Sequence, residues 1–471
     1  MSYSRDSVAY APGPPLTERD AEEQAQGICF KTGPPGRLGV ELEWLVKDGR
    51  DPALHVDQHR VTEALARLAT PGALPGESLL TTEPGGQVEL SSAPAPGLSG
   101  CVSAVSDDLA ALRAALRPAG LRLAGQGMDP IRPPRRVLDQ PRYLAMEQFF
   151  DRGGPWGRIM MCSTASVQVS VDAGEEGPGP AGFRWRWRLL HAVGPVLVAA
   201  FANSPLRLGH PTGWKSTRQA TWSRLDPSRT RAPADAEPST GGATGNGWPE
   251  HTDPRAAWVA YALDAQVMCV RQPGALCWDA PSGLTFRDWL RGAGDRRPTA
   301  DDLTYHLSTL FPPVRPQGHL ELRMIDAQPG DGWIVPTAVV SALVDDPIAA
   351  QAAMAAAMDL WPGSRPGTGS WPGRASSPSR NGTESLWQRA ARLGPADASL
   401  ARASRGCFEA ALAALGRRGA PRPVRDAVSA YAERYVLRDR CPADDRLDEA
   451  RAAADHADRH HEPDMSLEGQ P

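Results

Sequence analysis

Strict alternation of polar and apolar positions marks a short stretch that follows two glycines. Gly85 and Gly86 predict a turn, because glycine adopts positive φ without steric cost. Residues 87–91, QVELS, then alternate, which predicts a β-strand with Glu89 at the centre of its polar face. Taken alone, this pattern is typical of a strand whose polar face is solvated.

Three further segments show the same alternation, so the polar face is not an isolated feature. Their acidic, amide or basic positions are Glu41 and Glu43 in 37–46, Gln168 in 160–171, and Glu321 and Arg323 in 319–325. Two carboxylates at i and i+2 with no cation between them repel each other, and a bound cation best relieves that repulsion. Four such strands together predict a concave antiparallel sheet that lines an active site.

Helical patterns cover most of the remaining chain. Thr17 is expected to cap a first helix, because acidic residues follow it in the first turns. The other predicted helices are 55–69, one that starts near Ser99 or Ser103 and runs to 116, 183–202 with an interruption or kink at Gly194-Pro195, 303–310, 337–359, 384–393, 404–416 and 423–437. Strands mixed with helices in this way predict an α+β fold.

Composition bounds the domain organisation. We expect a disordered N-terminus at 1–20, a single catalytic domain at 21–440 with flexible insertions at 232–250 and 361–383, and a disordered tail at 441–471. The net charge of −4 gives no sign of nucleic-acid or membrane binding. The apolar run 189–202 is too short to span a bilayer.

Cysteine usage and the N-terminus indicate the compartment. The seven cysteines are scattered without a CxxC pair, which argues against a zinc ribbon or a thioredoxin-type site. The N-terminus lacks a basic-then-apolar signal pattern. We therefore expect a cytoplasmic protein with reduced thiols, acting as a monomer.

The residue types on the polar faces narrow the chemistry. Carboxylate and amide oxygens without a His or Cys cluster suit Mg²⁺, or Mn²⁺, rather than zinc. Residues 213–230 are rich in arginine and hydroxyls, which suits phosphates bridged by metal and a substrate carboxylate held by guanidinium. The GGATGNG run within 232–250 follows no strand, so a phosphate-loop role is disfavoured. The pattern alone predicts a magnesium-dependent, ATP-using enzyme for an anionic substrate.

Eight segments then match one family in the same order along the chain. They are GVELE at 39–43, EPGGQVELSSAP at 83–94, RYLAM at 142–146, MMCSTASVQVSVD at 160–172, STRQATWSRLDPSRT at 216–230, YALDAQVMCV at 261–270, FRDWLRG at 286–292 and HLSTLFPPVRPQGHLELRMIDAQP at 306–329. The chain resembles the glutamate–cysteine ligases shared by plants, many proteobacteria and actinobacteria. It looks most like the actinobacterial branch, whose enzymes supply γ-glutamylcysteine for ergothioneine synthesis, because only three of its 51 basic residues are lysines and its C-terminus diverges from the other members.

The resemblance implies a glutamine-synthetase-like fold, with a curved antiparallel sheet surrounded by helices, and synthesis of γ-glutamylcysteine from L-glutamate, L-cysteine and ATP. It implies these roles: Glu41, Glu43, Glu89, Gln168 and Glu321 as metal ligands, with Glu83 a weaker candidate; Arg218 as the glutamate clamp; Arg229 and Arg323 at phosphates; and Tyr261, Trp222 and Met161 lining the substrate pocket. Arg218 and Arg323 would be the catalytic arginines. The paired cysteines of the plant redox switch are not evident, so no such regulation is expected.

Three other interpretations stay open. A carboxylate–amine ligase of the same fold would share the metal face and use a different amine acceptor. A non-catalytic relative would be expected to lose acidic ligands, and none is missing. A metal-dependent hydrolase is disfavoured, because the sequence offers no His-rich dinuclear site.

Overall fold

An antiparallel sheet forms the centre of the computed structural model, which describes residues 13–233, 253–272, 274–361 and 384–459. The strands, numbered in chain order, are β1 Arg37–Asp48, β2 Leu79–Thr82, β3 Val88–Ser91, β4 Ala95–Pro96, β5 Leu121–Ala124, β6 Ser166–Asp172, β7 Leu206–Arg207, β8 His210–Pro211, β9 Val314–Pro316 and β10 His319–Asp326. Strands β7 and β8 form a separate hairpin, and the others belong to the central sheet. The strand order is β2-β3-β1-β6-β10-β9, and β4 and β5 pair with β1 beside this path.

Helices account for most of the remaining described residues. They are α1 Glu18–Cys29, α2 Gln58–Leu65, α3 Gly97–Leu116, α4 Pro141–Asp151, α5 Trp156–Ser163, α6 Phe183–Phe201, α7 Thr217–Trp222, α8 Pro227–Thr230, α9 Pro254–Asp264, α10 Phe286–Leu290, α11 Ala300–Ser308, α12 Ile334–Asp345, α13 Pro347–Met358, α14 Leu386–Leu393, α15 Ala398–Arg417, α16 Arg422–Arg434 and α17 Pro442–Arg459. The predicted α+β class is confirmed.

The apolar positions of the alternating strands form the core. Leu38, Val40 and Leu42 on β1 and Val88 and Leu90 on β3 are all buried in one large hydrophobic cluster. Helices α3, α6 and α12 contact β1, β10 and β6, and α13 and α15 pack behind them. Because successive strand residues point to opposite sides, this packing leaves the carboxylates on the other face.

Two local interpretations of the sequence differ from the structure. The predicted strand at 160–171 begins only at Ser166, because Met160 to Ser163 complete helix α5. The predicted helix at 337–359 divides into α12 and α13, since Asp346 caps α13 by accepting a hydrogen bond from the Ala349 amide at 2.9 Å. The interruption expected at Gly194-Pro195 is also absent, since α6 runs continuously through Pro195. By contrast, the capping role of Thr17 is confirmed.

The chain ends are more ordered than predicted. Pro442–Arg459 forms α17, so the expectation of a disordered tail from 441 is wrong for this stretch. Lys215 binds Asp444 at 2.5 Å, and Cys441 and Ala443 are buried against Ala202, which ties the tail to the domain. At the other end α1 starts at Glu18, within the predicted disordered segment. The insertion at 232–250 falls outside the described residues from 234 onward, and the one at 361–383 does so after the buried Trp361.

Among the described segments, no single helix has the length and apolar character needed to cross a bilayer. Helices α12 and α13 meet those criteria only as a pair, and the chain bends by 103° between them.

Gly194 in α6 lies where no side chain fits. A Cβ built there would come within 2.1 Å of the Trp387 ring on α14. We expect Gly194→Ala to lower the free energy of unfolding by about 1–3 kcal/mol, the usual cost of overpacking. Gly416→Ala on α15 is the control, because a Cβ there meets nothing within 4 Å. That control is expected to be neutral or slightly stabilising. Equal midpoints for the two variants in urea unfolding would contradict this packing.

Candidate active site

Strand register brings the predicted carboxylates together. Glu43 on β1 pairs directly with Glu89 on β3, and Glu41 pairs with Gln168 on β6. Directly paired residues of an antiparallel sheet have their Cβ atoms about 4.5–5.5 Å apart on the same face. Four of the five predicted metal ligands therefore form one patch on the face opposite the core, the acidic face.

Hydroxyl and amide groups hold two of these carboxylates without neutralising them. Ser166 Oγ donates to Glu43 Oε2 at 3.0 Å, and Gln168 Nε2 donates to Glu43 Oε1 at 3.1 Å. Thr81 and Ser91 both donate to Glu89 Oε1 at 3.0 Å. The side chains are thus oriented by uncharged neighbours on the same face, which bring no positive charge to the carboxylates.

Burial and mutual repulsion raise the pKa values across the acidic face. Burial, then Glu321 and Glu89, raise the pKa of Glu41 to about 8. Burial and then Glu43 raise the pKa of Glu89 to about 6. The pKa of Glu43 is raised by burial, and that of Glu83 lies well above its ordinary value because of burial, Glu89 and Glu43. Glu83 therefore belongs electrostatically to the acidic face.

The donor set of the acidic face fits hard cations. Carboxylate oxygens crowded enough to raise one another's pKa are stabilised when a divalent ion binds among them. Within the described ranges no three acidic, His or Cys side chains are placed to hold an ion in their present rotamers. The residues thus have the chemistry of a magnesium site, and the structure shows no coordination geometry for it.

Glu321 is the predicted metal ligand that the structure does not favour. Arg315 donates to both of its oxygens, from Nε at 2.7 Å and from a terminal nitrogen at 3.0 Å, and Arg323 donates to Oε1 at 2.6 Å. Burial alone would raise the pKa of Glu321, but the two arginines outweigh it and hold the pKa at about 2. Its oxygens are already engaged, so Glu321 acts as an anchor for arginines.

A bulge in β10 changes which residues reach the acidic face. The pairing with β6 shifts between Leu322 and Ile325, so that Ile325 pairs with Val167 and Asp326 with Ser166. Simple alternation from His319 would place Ile325 on the polar face and Asp326 in the core. The bulge reverses this, so simple alternation does not place Asp326 on the polar face. The sequence does offer one sign of it, an aspartate directly after the apolar residues Met324 and Ile325 near the end of the strand.

Arg218 lies beside the acidic face with part of its guanidinium unused. It is 3% exposed, and one terminal nitrogen donates to the Arg323 carbonyl at 2.8 Å. Its Nε and other terminal nitrogen are buried and have no hydrogen-bond partner among the residues that the structure describes. Burial lowers its pKa, whereas Asp326 and then Glu43 oppose that shift. Donors left unsatisfied on a buried guanidinium are suited to an anion such as a carboxylate.

Arg323 connects the acidic face to Glu321. Its guanidinium donates to Gln168 Oε1 as well as to Glu321. Gln168, in turn, donates to Glu43. Arg323 is thus placed next to the predicted ligands, and its phosphate role stays a prediction.

Arg229 does not have the environment expected for a phosphate ligand. It is fully buried and donates to the main-chain oxygens of Thr309, at 2.7 Å, and of Gln266, and to Asp226 at 3.2 Å. These bonds use the guanidinium to join three chain segments. The structure therefore favours a structural role for Arg229.

The three predicted pocket residues lie in two groups. Met161 and Trp222 belong to one apolar cluster, in which Trp222 meets the Phe311 ring edge-on at 5.6 Å. Tyr261 stacks on Trp258 at 5.3 Å, and burial raises the pKa of its hydroxyl well above the ordinary value. The structure does not assign a pocket to them, so their substrate contacts stay predictions.

Comparison with known proteins gives the family. The profile of glutamate–cysteine ligase family 2 (GCS2) matches residues 37–464. The chain belongs to this family. The resemblance inferred from the eight segments is thereby confirmed.

Two bacterial relatives match nearly the whole length of the chain. The glutamate–cysteine ligases EgtA of Mycobacterium tuberculosis and Mycolicibacterium smegmatis are both 38% identical, covering 91% and 92% of this chain and 89% and 92% of theirs. The chloroplastic glutamate–cysteine ligase of Medicago truncatula is 31% identical over 55% of this chain and 48% of its own. A solved glutamate–cysteine ligase from Francisella tularensis in complex with AMP is 13% identical, with 89% and 86% coverage and a TM-score of 0.47.

The raised pKa values predict an unusual pH dependence of stability. Between about pH 4.5 and the Glu41 pKa of about 8, the Glu41 carboxyl binds a proton more often in the folded state than in the unfolded state. The lowered pKa values of the buried His191 and His306 act in the opposite direction only below about pH 6.5, so the free energy of unfolding of the metal-free protein should fall as pH rises above that value. We expect Tm in a chelating buffer to drop by a few degrees from about pH 6.5 to 8, and Mg²⁺ to restore it most at pH 8.

Glu41→Gln is the matched control for this measurement, since it removes one coupled carboxylate and keeps its size. The variant should show a flatter Tm profile and a smaller response to Mg²⁺. A wild-type Tm that is flat or rises across the window would contradict the charge arrangement described above.

Proposed function

We propose that the protein is an ATP- and Mg²⁺-dependent glutamate–cysteine ligase that forms γ-glutamylcysteine for ergothioneine synthesis. The observation that carries the proposal is the relationship to EgtA along nearly the full length of both chains. The substrates are small molecules, L-glutamate, L-cysteine and ATP, and we propose a monomer in the cytoplasm. All seven cysteines are free thiols, which suits a reducing compartment.

The residues of the site fit the two steps of this reaction. A carboxylate is a poor electrophile, so the γ-carboxylate of glutamate first attacks the γ-phosphoryl group of ATP, which gives γ-glutamyl phosphate and ADP. The amine of cysteine then attacks the acyl carbon, and phosphate leaves. Both steps depend mainly on positioning and on stabilising charge.

Each group of residues has a distinct part in this proposal. Glu41, Glu43, Glu89 and Gln168, with Glu83 beside them, would hold Mg²⁺, which offsets the repulsion between the phosphates and the attacking carboxylate. Arg218 binds a carboxylate of glutamate through guanidinium donors that have no hydrogen-bond partner among the described residues. Arg323 stabilises negative charge where the acidic face meets the phosphates.

The amine requirement tests the proposal directly. ADP release should need glutamate and rise with L-cysteine, which we expect to be preferred over serine and 2-aminobutyrate by roughly ten- to two-hundredfold in kcat/KM, with 2-aminobutyrate the best substitute. A thiol makes only weak hydrogen bonds, so its pocket discriminates by size and apolar contact. Stimulation by another amine but not by cysteine would identify a carboxylate–amine ligase of the same fold instead.

Arg218→Lys tests the glutamate clamp. Lysine keeps the charge but loses the fork, so the apparent KM for glutamate should rise by about tenfold or more, while the KM for ATP changes much less. Arg224→Lys is the control, because Arg224 lies exposed just after α7, where its guanidinium donates to the Ala220 carbonyl and lies over the rings of Trp156 and Trp214. A larger effect on ATP than on glutamate would place Arg218 at the phosphates.

A further inference from the structure

Asp326 is a buried carboxylate at the end of β10 that binds three neighbouring groups. Its Oδ2 accepts from the main-chain amide of Asn203 at 2.9 Å and from Ser204 Oγ at 2.7 Å, and its Oδ1 accepts from Ser216 Oγ at 2.9 Å. The residue is 2% exposed. The carboxylate is therefore held in one orientation by the segment after α6 and by the residue that caps α7.

The backbone opposite Asp326 leaves room for glycine alone. A Cβ built on Gly127 would lie 2.4 Å from Asp326 Cγ. The Gly127 amide also donates to the Asn203 carbonyl at 3.1 Å. The loop that carries Gly127 thus closes over the carboxylate and excludes water from that side.

Asp326 and Arg218 share their surroundings. Ser204 Oγ, which donates to Asp326, accepts from the Arg218 amide at 3.2 Å. Asp326 Oδ1 lies 3.8 Å from a terminal nitrogen of Arg218, too far for a hydrogen bond and close enough for strong attraction. Among the charges that keep Arg218 protonated, Asp326 contributes most, ahead of Glu43.

We infer that Asp326 is a positioning residue for glutamate binding, acting through Arg218. Asp326 orients the buried guanidinium by charge attraction at one terminal nitrogen and forms no hydrogen bond with it, so that the Nε–H of Arg218 stays available for the substrate carboxylate. Asp326 itself does not touch the substrate. The inference rests on the proposed function, in which Arg218 binds glutamate.

The same arrangement links Arg218 to the phosphate side of the site. Arg218 donates to the main-chain oxygen of Arg323, which lies within the bulge between Leu322 and Ile325. Asp326 ends the bulged strand and also faces Arg218. The fork of Arg218 is thus fixed at one end by an ion pair and at the other by a main-chain hydrogen bond.

Asp326→Asn is the decisive variant, because it keeps the size of the side chain and removes its charge. We expect the KM for glutamate to rise by about tenfold, which corresponds to roughly 1.4 kcal/mol, with the KM for ATP and for cysteine changed by less than about twofold. In an Arg218→Lys background the same substitution should change the KM for glutamate by less than about twofold, since residues that act through one another are not additive.

Matched variants separate positioning from general stability. Asp108→Asn alters an equally buried aspartate that accepts from the Gly76 and Ser78 amides, and should lower Tm without a selective change in the KM for glutamate.

Ser204→Ala keeps the charge of Asp326 but removes one of the hydrogen bonds that orient its carboxylate, and should raise the KM for glutamate by a smaller factor. If Asp326→Asn does not fold, Ser204→Ala measured alone and with Arg218→Lys decides the question.

Additive effects in the double variant, or an equal rise in all three KM values, would overturn the inference. Wild-type ADP release with glutamate and cysteine, measured on the same preparations, reports separately on the proposed function. An active wild type with an unselective Asp326→Asn effect refutes the positioning role alone, whereas an inactive wild type refutes the function on which the role rests.

Discussion

The structure depends on the confinement of like charges to one face of a sheet. Glu41, Glu43 and Glu89 stay on one face of the sheet, because the alternate residues Val40, Leu42, Val88 and Leu90 of the same strands are packed in the core. Moving one of these glutamates to the other face would require a strand to slip by one residue, which would expose its whole apolar set. The stability of the core therefore holds the repulsion in place, and a bound cation can recover that energy.

The arginines divide this face into a part with paired charges and a negative part. Arg315 and Arg323 satisfy Glu321, so the β10 side carries paired charge. On the β1 and β3 side, the hydrogen bonds that Glu43 and Glu89 accept within the described part of the chain come from neutral donors on Ser166, Gln168, Thr81 and Ser91. Cations are consequently drawn to one half of the sheet, and Arg323 stands at the boundary between the halves.

Much of this could be predicted from alternation, and the failures have physical causes. The period of two located Glu41, Glu43, Glu89 and Gln168, because register between regular strands follows the apolar face. It could not locate the bulge in β10, and so it missed Asp326. Nor could it decide the partners of Glu321 and Arg229, since those depend on side chains and carbonyls that are distant in sequence, such as Thr309 and Gln266 beside Arg229. The helix α17 was missed because its charged residues resemble those of a disordered tail.

The bulge explains how two arginines with different tasks stay in a fixed relation. An uninterrupted strand would direct Ile325 toward the polar face and turn Asp326 into the core. Arg323 reaches Gln168 as regular alternation predicts, and the extra residue then lets Asp326 face Arg218 while the Arg323 carbonyl accepts from Arg218. A shift of the bulge would therefore move both guanidiniums together. Since phosphoryl transfer requires the attacking carboxylate and the phosphate to be held in line, a shared backbone support for both arginines is what the proposed reaction needs.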